Sequence, residues 1–194
     1  MRVSWARVEP ARGEYDDAAL AEARDALRLV RKAGGEPVVV LHDGALPDWQ
    51  IARGGWLDPD ALAAWGCYAD RAGSELAPQA SVWMALWTPL EEAGWYDRDA
   101  RRVARVLLDA AASAYIHLRR GPGHGGKPAR VGIAERWGQG RIADGLRDSF
   151  VRALATGRVG PPFAVFGELS NGTAAIDVVG RIGGSELEID EVRR

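Results

Sequence analysis

Residues 36–41, EPVVVL, carry the pattern that decides the fold. The run is apolar and mostly β-branched with no polar alternation, which is typical of a strand buried on both faces, as in a parallel sheet. The segment before it, 17–33, has apolar residues at helical spacing and ends at two glycines, so it predicts an amphipathic helix. A further predicted helix separates the strand from a second apolar run at 81–86. These neighbours predict alternating strands and helices.

The rest of the chain continues this alternation. Five short apolar runs predict strands, at residues 3–8, 37–41, 81–86, 130–134 and 174–179. Helical patterns separate most of them, and a parallel strand is reached only through such a crossover. We therefore expect an α/β fold, either an open doubly wound sheet or part of a (β/α)8 barrel. Since no repeat or linker divides the chain, a single domain is expected over 1–184, followed by a charged tail over 185–194.

Composition excludes several classes of protein. The 194 residues are 47% apolar and 27% charged, which is typical of a soluble globular domain. The formal net charge of −2 gives no overall attraction for nucleic acid or an anionic membrane, and neither is expected as a partner. The only cysteine, Cys67, excludes an intrachain disulfide and a four-thiolate metal site. Without a leader pattern or a long apolar run, the chain is expected to be cytoplasmic.

A glycine-rich run at 121–127, GPGHGGK, matches the GxxxxGK pattern of a phosphate-binding loop. In such a loop a strand precedes the glycines and a helix follows them, so that the helix amides face the phosphates. Here a predicted helix precedes the run, a predicted strand follows it, and Pro128 stands where a serine or threonine would hold magnesium. We therefore interpret the run as a solvated loop. The three histidines lack metal-ligand spacing, and neither a metal nor a cofactor is expected.

Polar residues follow two of the predicted strands. His42 and Asp43 come directly after the run at 37–41, and Glu91 and Glu92 follow the run at 81–86. Barrel and open-sheet enzymes place their chemistry after the carboxyl ends of strands, so all four are candidates for a site. The plainer interpretations are a hydrogen-bonded loop pair and a solvated helix start, where carboxylates favour the positive end of the helix dipole.

Six motifs follow one another along the chain: SWARVEP (4–10), EPVVVLHDGALP (36–47), GGWL (54–57), WMALWTP (83–89), RVGI (130–133) and IDVVG (176–180). In order and spacing they resemble the second to sixth strands of glycoside hydrolase family 1, the β-glucosidase family of retaining (β/α)8 barrels. The corresponding family motifs are S-W-x-R-I-x-P, E-P-x-V-T-L-x-H-W-x-L-P, G-G-W, W-x-T-L-N-E-P, K-V-G-I and D-F-I-G. The resemblance covers residues 1 to about 184 and implies a partial or remodelled TIM barrel with about five parallel strands alternating with helices.

The sequence departs from the family at the positions of its chemistry. The asparagine and glutamate of N-E-P, which hold the sugar 2-hydroxyl and act as general acid/base, correspond to Trp87 and Thr88. A threonine hydroxyl has no usable acidity near neutral pH. The family's sugar-binding histidine corresponds to Asp43, whereas Arg7 matches the arginine that neighbours the nucleophile. The nucleophile belongs to T-E-N-G on the seventh strand, so the resemblance implies a truncated chain that ends before it.

The resemblance thus implies no catalytic residue at the family positions. Glu91 and Glu92 are the alternative catalytic candidates, and the candidate binding residues are Arg7, His42, Asp43, Trp87 and Thr88. The first hypothesis is a degenerate family 1-like pseudoenzyme, inactive as an O-glycosyl hydrolase, with a carbohydrate as its expected ligand. The second is an interaction or carbohydrate-binding module, because five strands leave open edges that a second copy or a partner would cover. The third is an enzyme of another class that uses Asp43 and Glu91.

Overall fold

The computed structural model describes residues 1–121, 123–138, 142–163, 167–170, 172–183 and 186–192. Pro122 of the glycine-rich run and the expected boundary between residues 184 and 185 lie outside these ranges. The helices are α1 (Trp5–Val8), α2 (Asp17–Lys32), α3 (Asp48–Ala52), α4 (Ala61–Leu76), α5 (Pro89–Gly94), α6 (Ala100–Arg119) and α7 (Asp144–Thr156). The strands are β1 (Val38–Val40), β2 (Val82–Trp87), β3 (Arg130–Glu135), β4 (Arg158–Val159), β5 (Gly167–Glu168), β6 (Val178–Gly183) and β7 (Glu186–Glu191). Short 3-10 turns lie at Gly55–Leu57, Asp97–Asp99 and His124–Gly126.

One curled sheet, with strand order β1-β2-β3-β6-β7, organises the chain. Its first four strands pair in parallel, and β7 pairs with β6 in the antiparallel direction. Helices separate the parallel strands along the chain, and β4 and β5 form a small antiparallel sheet of their own. The expected α/β fold is therefore confirmed as a mostly parallel, five-stranded partial barrel. No helix in the described ranges is long and apolar enough to cross a membrane.

The strand expected at residues 3–8 is wrong. Ser4 caps the one-turn helix α1, because its hydroxyl accepts a hydrogen bond from the Arg7 amide at 3.4 Å. Pairing with β1 is confined to the residues just before this turn, where the Val40 amide donates to Met1 and the Val3 amide donates to Val40. Residues 1–3 thus line the outer edge of β1 as a short extended segment.

The charged segment near the carboxyl terminus is a strand. In β7 the apolar Leu187 and Ile189 are half-buried against the sheet's inner face, and the acidic residues between and around them are exposed. This alternation is typical of a strand with one face in water, and the Asp190 carboxylate pairs with Arg181 of β6 at 2.7 Å. Exposed charges on an edge strand oppose pairing with another sheet.

Two apolar cores lie on opposite faces of the sheet. The larger core fills the space between the sheet and the helices and contains four fully buried tryptophans, Trp5, Trp56, Trp65 and Trp83. The smaller core lies on the inner, concave face and consists of Val40, Val82, Met84, Ala134, Val178 and Ile182. Because the sheet is buried on both faces, its central strands need apolar residues at successive positions, as the sequence has them.

A glycine sets the close approach of β3 and β6. A Cβ at Gly132 would overlap the carbonyl oxygen of Val178 on the neighbouring strand. Gly132 pairs directly with Val178 in the register of the two strands. The glycine of the RVGI motif is therefore required by backbone packing at the centre of the sheet.

Replacing this glycine tests the register of β3 and β6. Gly132→Ala is expected to lower the free energy of unfolding by at least about 2 kcal/mol, because overpacking a core forces the backbone to shift. Gly145→Ala in α7 is the matched control, since a Cβ there meets no atom within 4 Å. It is expected to raise the free energy of unfolding by up to about 1 kcal/mol. Equilibrium urea unfolding measures both, and equal effects would contradict this packing.

Candidate functional site

The carboxyl ends of the parallel strands bring the predicted site residues to one edge of the sheet. His42 and Asp43 follow β1, Trp87 ends β2 and Thr88 follows it. Glu135, which the sequence did not single out, ends β3 at the same edge. We name this side of the molecule the carboxyl edge. It is the side on which open α/β sheets and barrels bind their ligands.

Thr88 adopts a strained backbone conformation at this edge. Its φ of 48° and ψ of 52° lie in the left-handed region, which is unusual for a β-branched residue. The Thr88 amide donates to the carbonyl of Ala134 on β3 at 2.7 Å, and Pro89 begins α5 directly after it. Strain of this kind persists where the surrounding structure imposes it, commonly at functional sites.

Arg2 connects two of the predicted binding residues. Its guanidinium lies 5.5 Å from the centre of the Trp87 indole, within the range of a cation–π contact. One of its nitrogens also lies 3.7 Å from the Asp43 carboxylate. Arg2 thus brings Asp43 and Trp87 into one group beside Thr88. No motif marks Arg2 in the sequence, because its role follows from the pairing of residues 1–3 with β1.

Arg7 does not join this group. It lies on α1, and its guanidinium pairs with the carboxylate of Glu22 on α2. Both side chains are more than 60% exposed, so the pair contributes little to stability. The structure therefore gives Arg7 a partner on the helical side and not among the strand ends.

His42 and Glu92 form a buried pair. The His42 Nε2–H donates to the Glu92 carboxylate, whose two oxygens lie at 2.9 and 3.0 Å, and both side chains are at most 2% exposed. The indole N–H of Trp56 donates to the same carboxylate at 2.5 Å. The rings of Trp5, Trp56 and Trp65 surround the imidazole with edge-to-face geometry. Glu92 is thus held inside an aromatic cluster and is not presented to solvent.

Glu91 and Glu135 are joined through Arg147. The Glu135 carboxylate accepts from the Leu90 amide at 2.9 Å and from the Arg147 Nε at 3.3 Å. Burial raises the pKa of Glu135 above its usual value, although the Leu90 and Arg147 contacts act in the opposite direction. Glu91, about one-third exposed, lies 4.0 Å from an Arg147 nitrogen. Glu135 therefore anchors the start of α5 and holds Arg147 of α7.

A pocket of about 520 Å³ opens at the carboxyl edge beside the buried pair. Its lining consists of Gly44, Ala45, Leu46, Ile51, Gly54, Gly55, Glu92, Trp95 and Tyr96. Trp95 is 68% exposed, and the Tyr96 hydroxyl accepts from the Trp56 amide at 3.2 Å, so its own proton remains available. A Cβ at Gly55 would overlap the Tyr96 hydroxyl and one at Gly44 would press against the Trp95 ring, so both glycines allow these aromatic side chains to pack closely. We name it the Trp95 pocket.

Metal binding has no candidate in the ranges that the structure describes, because no three His, Cys, Asp or Glu side chains there are grouped for it. The candidate site thus consists of two neighbouring parts of the carboxyl edge. One is the group of Arg2, Asp43, Trp87 and Thr88, and the other is the Trp95 pocket. The first part was largely predictable from the strand ends, whereas the pocket depends on how the loops after β1 and β2 fold together.

The fold is similar to that of solved β-glycosidases and β-glucosidases. The β-glycosidase from Pyrococcus horikoshii aligns with a TM-score of 0.74 and 21% identity over 93% of this chain and 46% of its own. A β-glucosidase from Thermotoga maritima aligns with a TM-score of 0.73 and 16% identity, covering 98% of this chain and 53% of its own. A β-glucosidase from Exiguobacterium marinum gives a TM-score of 0.72 and 17% identity over 98% and 54%.

These likenesses extend over most of this chain but only about half of each enzyme. At such identities they establish a shared fold. No family model and no curated protein matches the sequence. The likeness therefore concerns the fold, that is, the strands and their order.

If the role of the buried Glu92 is structural, its replacement lowers the stability of the protein. Glu92→Gln is expected to lower the free energy of unfolding by about 2–4 kcal/mol, because the amide NH2 that replaces one carboxylate oxygen would face the His42 Nε2–H and leave a buried donor without an acceptor. Glu91→Gln is the control at the neighbouring, partly exposed position and is expected to cost less than about 1 kcal/mol. Urea unfolding measures both variants. A Glu92→Gln protein as stable as the wild type would contradict the structural role.

The raised pKa of Glu135 predicts a dependence of stability on pH. Folding takes up a proton between the usual glutamate pKa of about 4.3 and the higher folded-state pKa, so the stability contributed by this group falls as pH rises through that window. Relative to Glu135→Gln, the wild type is expected to lose free energy of unfolding as the pH rises above about 4.3. Unfolding curves at several pH values measure this. A difference that stays constant with pH would contradict it.

Proposed function

We propose that this chain does not hydrolyse β-glucosides and binds a carbohydrate at its carboxyl edge. The observation that carries the proposal is Thr88, which stands after β2 where the family motif has its general acid/base. A threonine hydroxyl cannot protonate a leaving glycosidic oxygen near neutral pH. In this proposal the chain keeps a β-glucosidase-like scaffold and a ligand surface, without the hydrolytic chemistry.

The carboxylates near Thr88 support this proposal. Retaining hydrolysis needs two carboxyl groups about 5–5.5 Å apart on either side of the scissile bond. Glu92 accepts hydrogen bonds from His42 and Trp56, and Glu135 accepts them from a helix amide and Arg147. Both carboxylates are at most 2% exposed and engaged in these hydrogen bonds, although Glu92 also lines the Trp95 pocket.

The Trp95 pocket supports the binding part of the proposal. The exposed indole of Trp95 offers an apolar surface against which the C–H face of a pyranose ring would pack. The Tyr96 hydroxyl supplies a hydrogen-bond donor, and three glycines, 44, 54 and 55, line the pocket without side chains. Mostly apolar walls with a few placed polar groups are typical of small-molecule sites.

The two alternative hypotheses have less support. An enzyme that combines Asp43 with Glu91 is disfavoured because these carboxylates have different partners, Arg2 and Arg147. Association through the outer strands of the sheet is disfavoured. Residues 1–3 pair with β1 on one side of the sheet, and the acidic β7 is the outer strand on the other side. A stable dimer in sedimentation equilibrium would favour the interaction module again.

Two measurements on the purified chain test the proposal. First, 4-nitrophenyl β-glucoside is expected to show no turnover above the buffer rate. Turnover that Glu91→Gln or Glu92→Gln abolishes would identify a displaced acid and contradict the loss of hydrolytic activity. Because Glu92→Gln is expected to be less stable, its folding is first checked by circular dichroism.

Second, a calorimetric titration with cellobiose is expected to show binding that Trp95→Ala weakens at least about tenfold, the equivalent of about 1.4 kcal/mol. Leu29→Ala is the matched control, because Leu29 is similarly exposed, at 65%, and lies on α2 outside the pocket. It is expected to leave the affinity unchanged. Undetectable binding to the wild type, or equal losses in both variants, would contradict a carbohydrate site at Trp95.

A further inference from the structure

A second cavity, of about 430 Å³, lies at the amino ends of the parallel strands, opposite the carboxyl edge. The segments before the strands form it: Glu36 precedes β1, Ser81 directly precedes β2 and Arg130 begins β3. The side chains that matter for its chemistry are those of Arg31, Glu36, Ser81, His124, Lys127 and Arg130. We name it the amino-edge cavity. It shares no lining residue with the Trp95 pocket.

Two of its cations have no carboxylate partner within the described ranges. Arg31 is anchored by neutral oxygens, because its Nε donates to the Gln79 carbonyl at 2.9 Å and its Nη2 donates to the Ser81 hydroxyl at 2.5 Å. Lys127 is exposed and forms no ion pair in the part of the chain that the structure describes. Both charges therefore remain available to an anion.

The third cation of the cavity is neutralised. Arg130 pairs with Glu191 at 2.8 Å and with Glu36 at 3.2 Å. Glu36 is the only acidic residue among those that line the cavity. The lining therefore keeps a positive excess, although the whole chain is slightly acidic. Such a local excess of charge favours anions in a partly enclosed space.

The glycine-rich run places Lys127 in this cavity. The run lies between α6 and β3, so it lacks the strand-loop-helix order of a nucleotide-binding loop. The His124 Nδ1–H donates to the Pro78 carbonyl at 3.0 Å and ties the run to the segment before β2. Gly125 and Gly126 have positive φ values of 66° and 75°, a conformation that glycine adopts without strain. Lys127, at the end of the run, thus lines the same cavity as Arg31.

We propose that the amino-edge cavity binds a phosphate group, either as inorganic phosphate or as a phosphate monoester. A fixed guanidinium and a mobile ammonium match the charge and the acceptor oxygens of a phosphate dianion. The Ser81 hydroxyl beside Arg31 adds a neutral polar contact. The proposal is independent of the carbohydrate proposal, since the two cavities lie at opposite edges of the sheet.

The chain provides its own control, because it contains only two lysines, Lys32 and Lys127. Calorimetric titration with inorganic phosphate, at an ionic strength held constant with sodium chloride, is expected to show binding to the wild type. Lys127→Ala is expected to weaken it at least about tenfold, whereas Lys32→Ala, the same change outside the cavity, leaves it within about twofold. Glu36→Gln is expected to tighten binding, because it removes the lining carboxylate.

A parallel titration separates the two sources of phosphate. Tighter binding of glycerol 3-phosphate than of inorganic phosphate would identify a monoester as the ligand, and the reverse order would identify the free ion. Glycerol alone is expected not to bind. No phosphate binding to the wild type, or equal weakening by Lys127→Ala and Lys32→Ala, would overturn the proposal. If phosphate binds but cellobiose does not, the carbohydrate proposal is contradicted and the phosphate proposal is supported.

Discussion

The parallel pairing of β1, β2, β3 and β6 is the constraint on which the other features of the molecule depend. Parallel strands must be joined by crossovers, so the helices cover one face of the sheet and the connecting loops divide between its two edges. Each polar residue that follows a strand therefore reaches the carboxyl edge, and each residue that precedes one reaches the amino edge. Gly132 permits the closest part of this pairing, and both candidate sites lie where the pairing ends.

The carboxyl edge shows how burial changes what a carboxylate can do. Glu92 would be a candidate acid by its position after β2, but its buried carboxylate accepts hydrogen bonds from Trp56 and from His42, which three tryptophans surround. Removing two ionisable groups from water is costly unless each has hydrogen-bonded partners, and here each stabilises the other. The same reasoning applies to Glu135 and Arg147. These groups maintain the shape of the edge, and exposed side chains such as Trp95 are left to contact a ligand.

The sequence predicted those features that repeat along the chain or follow directly from a strand. The strands at 37–41, 81–86 and 130–134 correspond closely to β1, β2 and β3, because their apolar runs reflect burial on two faces. The run at 174–179 overlaps only the start of β6. The strand predicted at 3–8 was wrong because Ser4 caps a helix there. This local hydrogen bond outweighs the β propensity of the segment. The alternation of apolar and acidic residues in β7 is typical of a strand, but its high charge led to the prediction of a tail. The partners of Glu92 and Arg2 were not predictable, since each lies more than 30 residues away. The position of Lys127 in the amino-edge cavity was not predictable either, because it depends on loop folding.

The two cavities can act independently because of the geometry of the strands. The six residues of β2, Val82–Trp87, separate the edges, and at about 3.3 Å per residue they span about 20 Å. This distance exceeds the Debye length of about 8 Å at physiological ionic strength, so a phosphate at the amino edge exerts little electrostatic force on a ligand at the Trp95 pocket. Any coupling between them would have to pass through a shift of the strands, which the tightly packed core around Trp83 and Gly132 opposes.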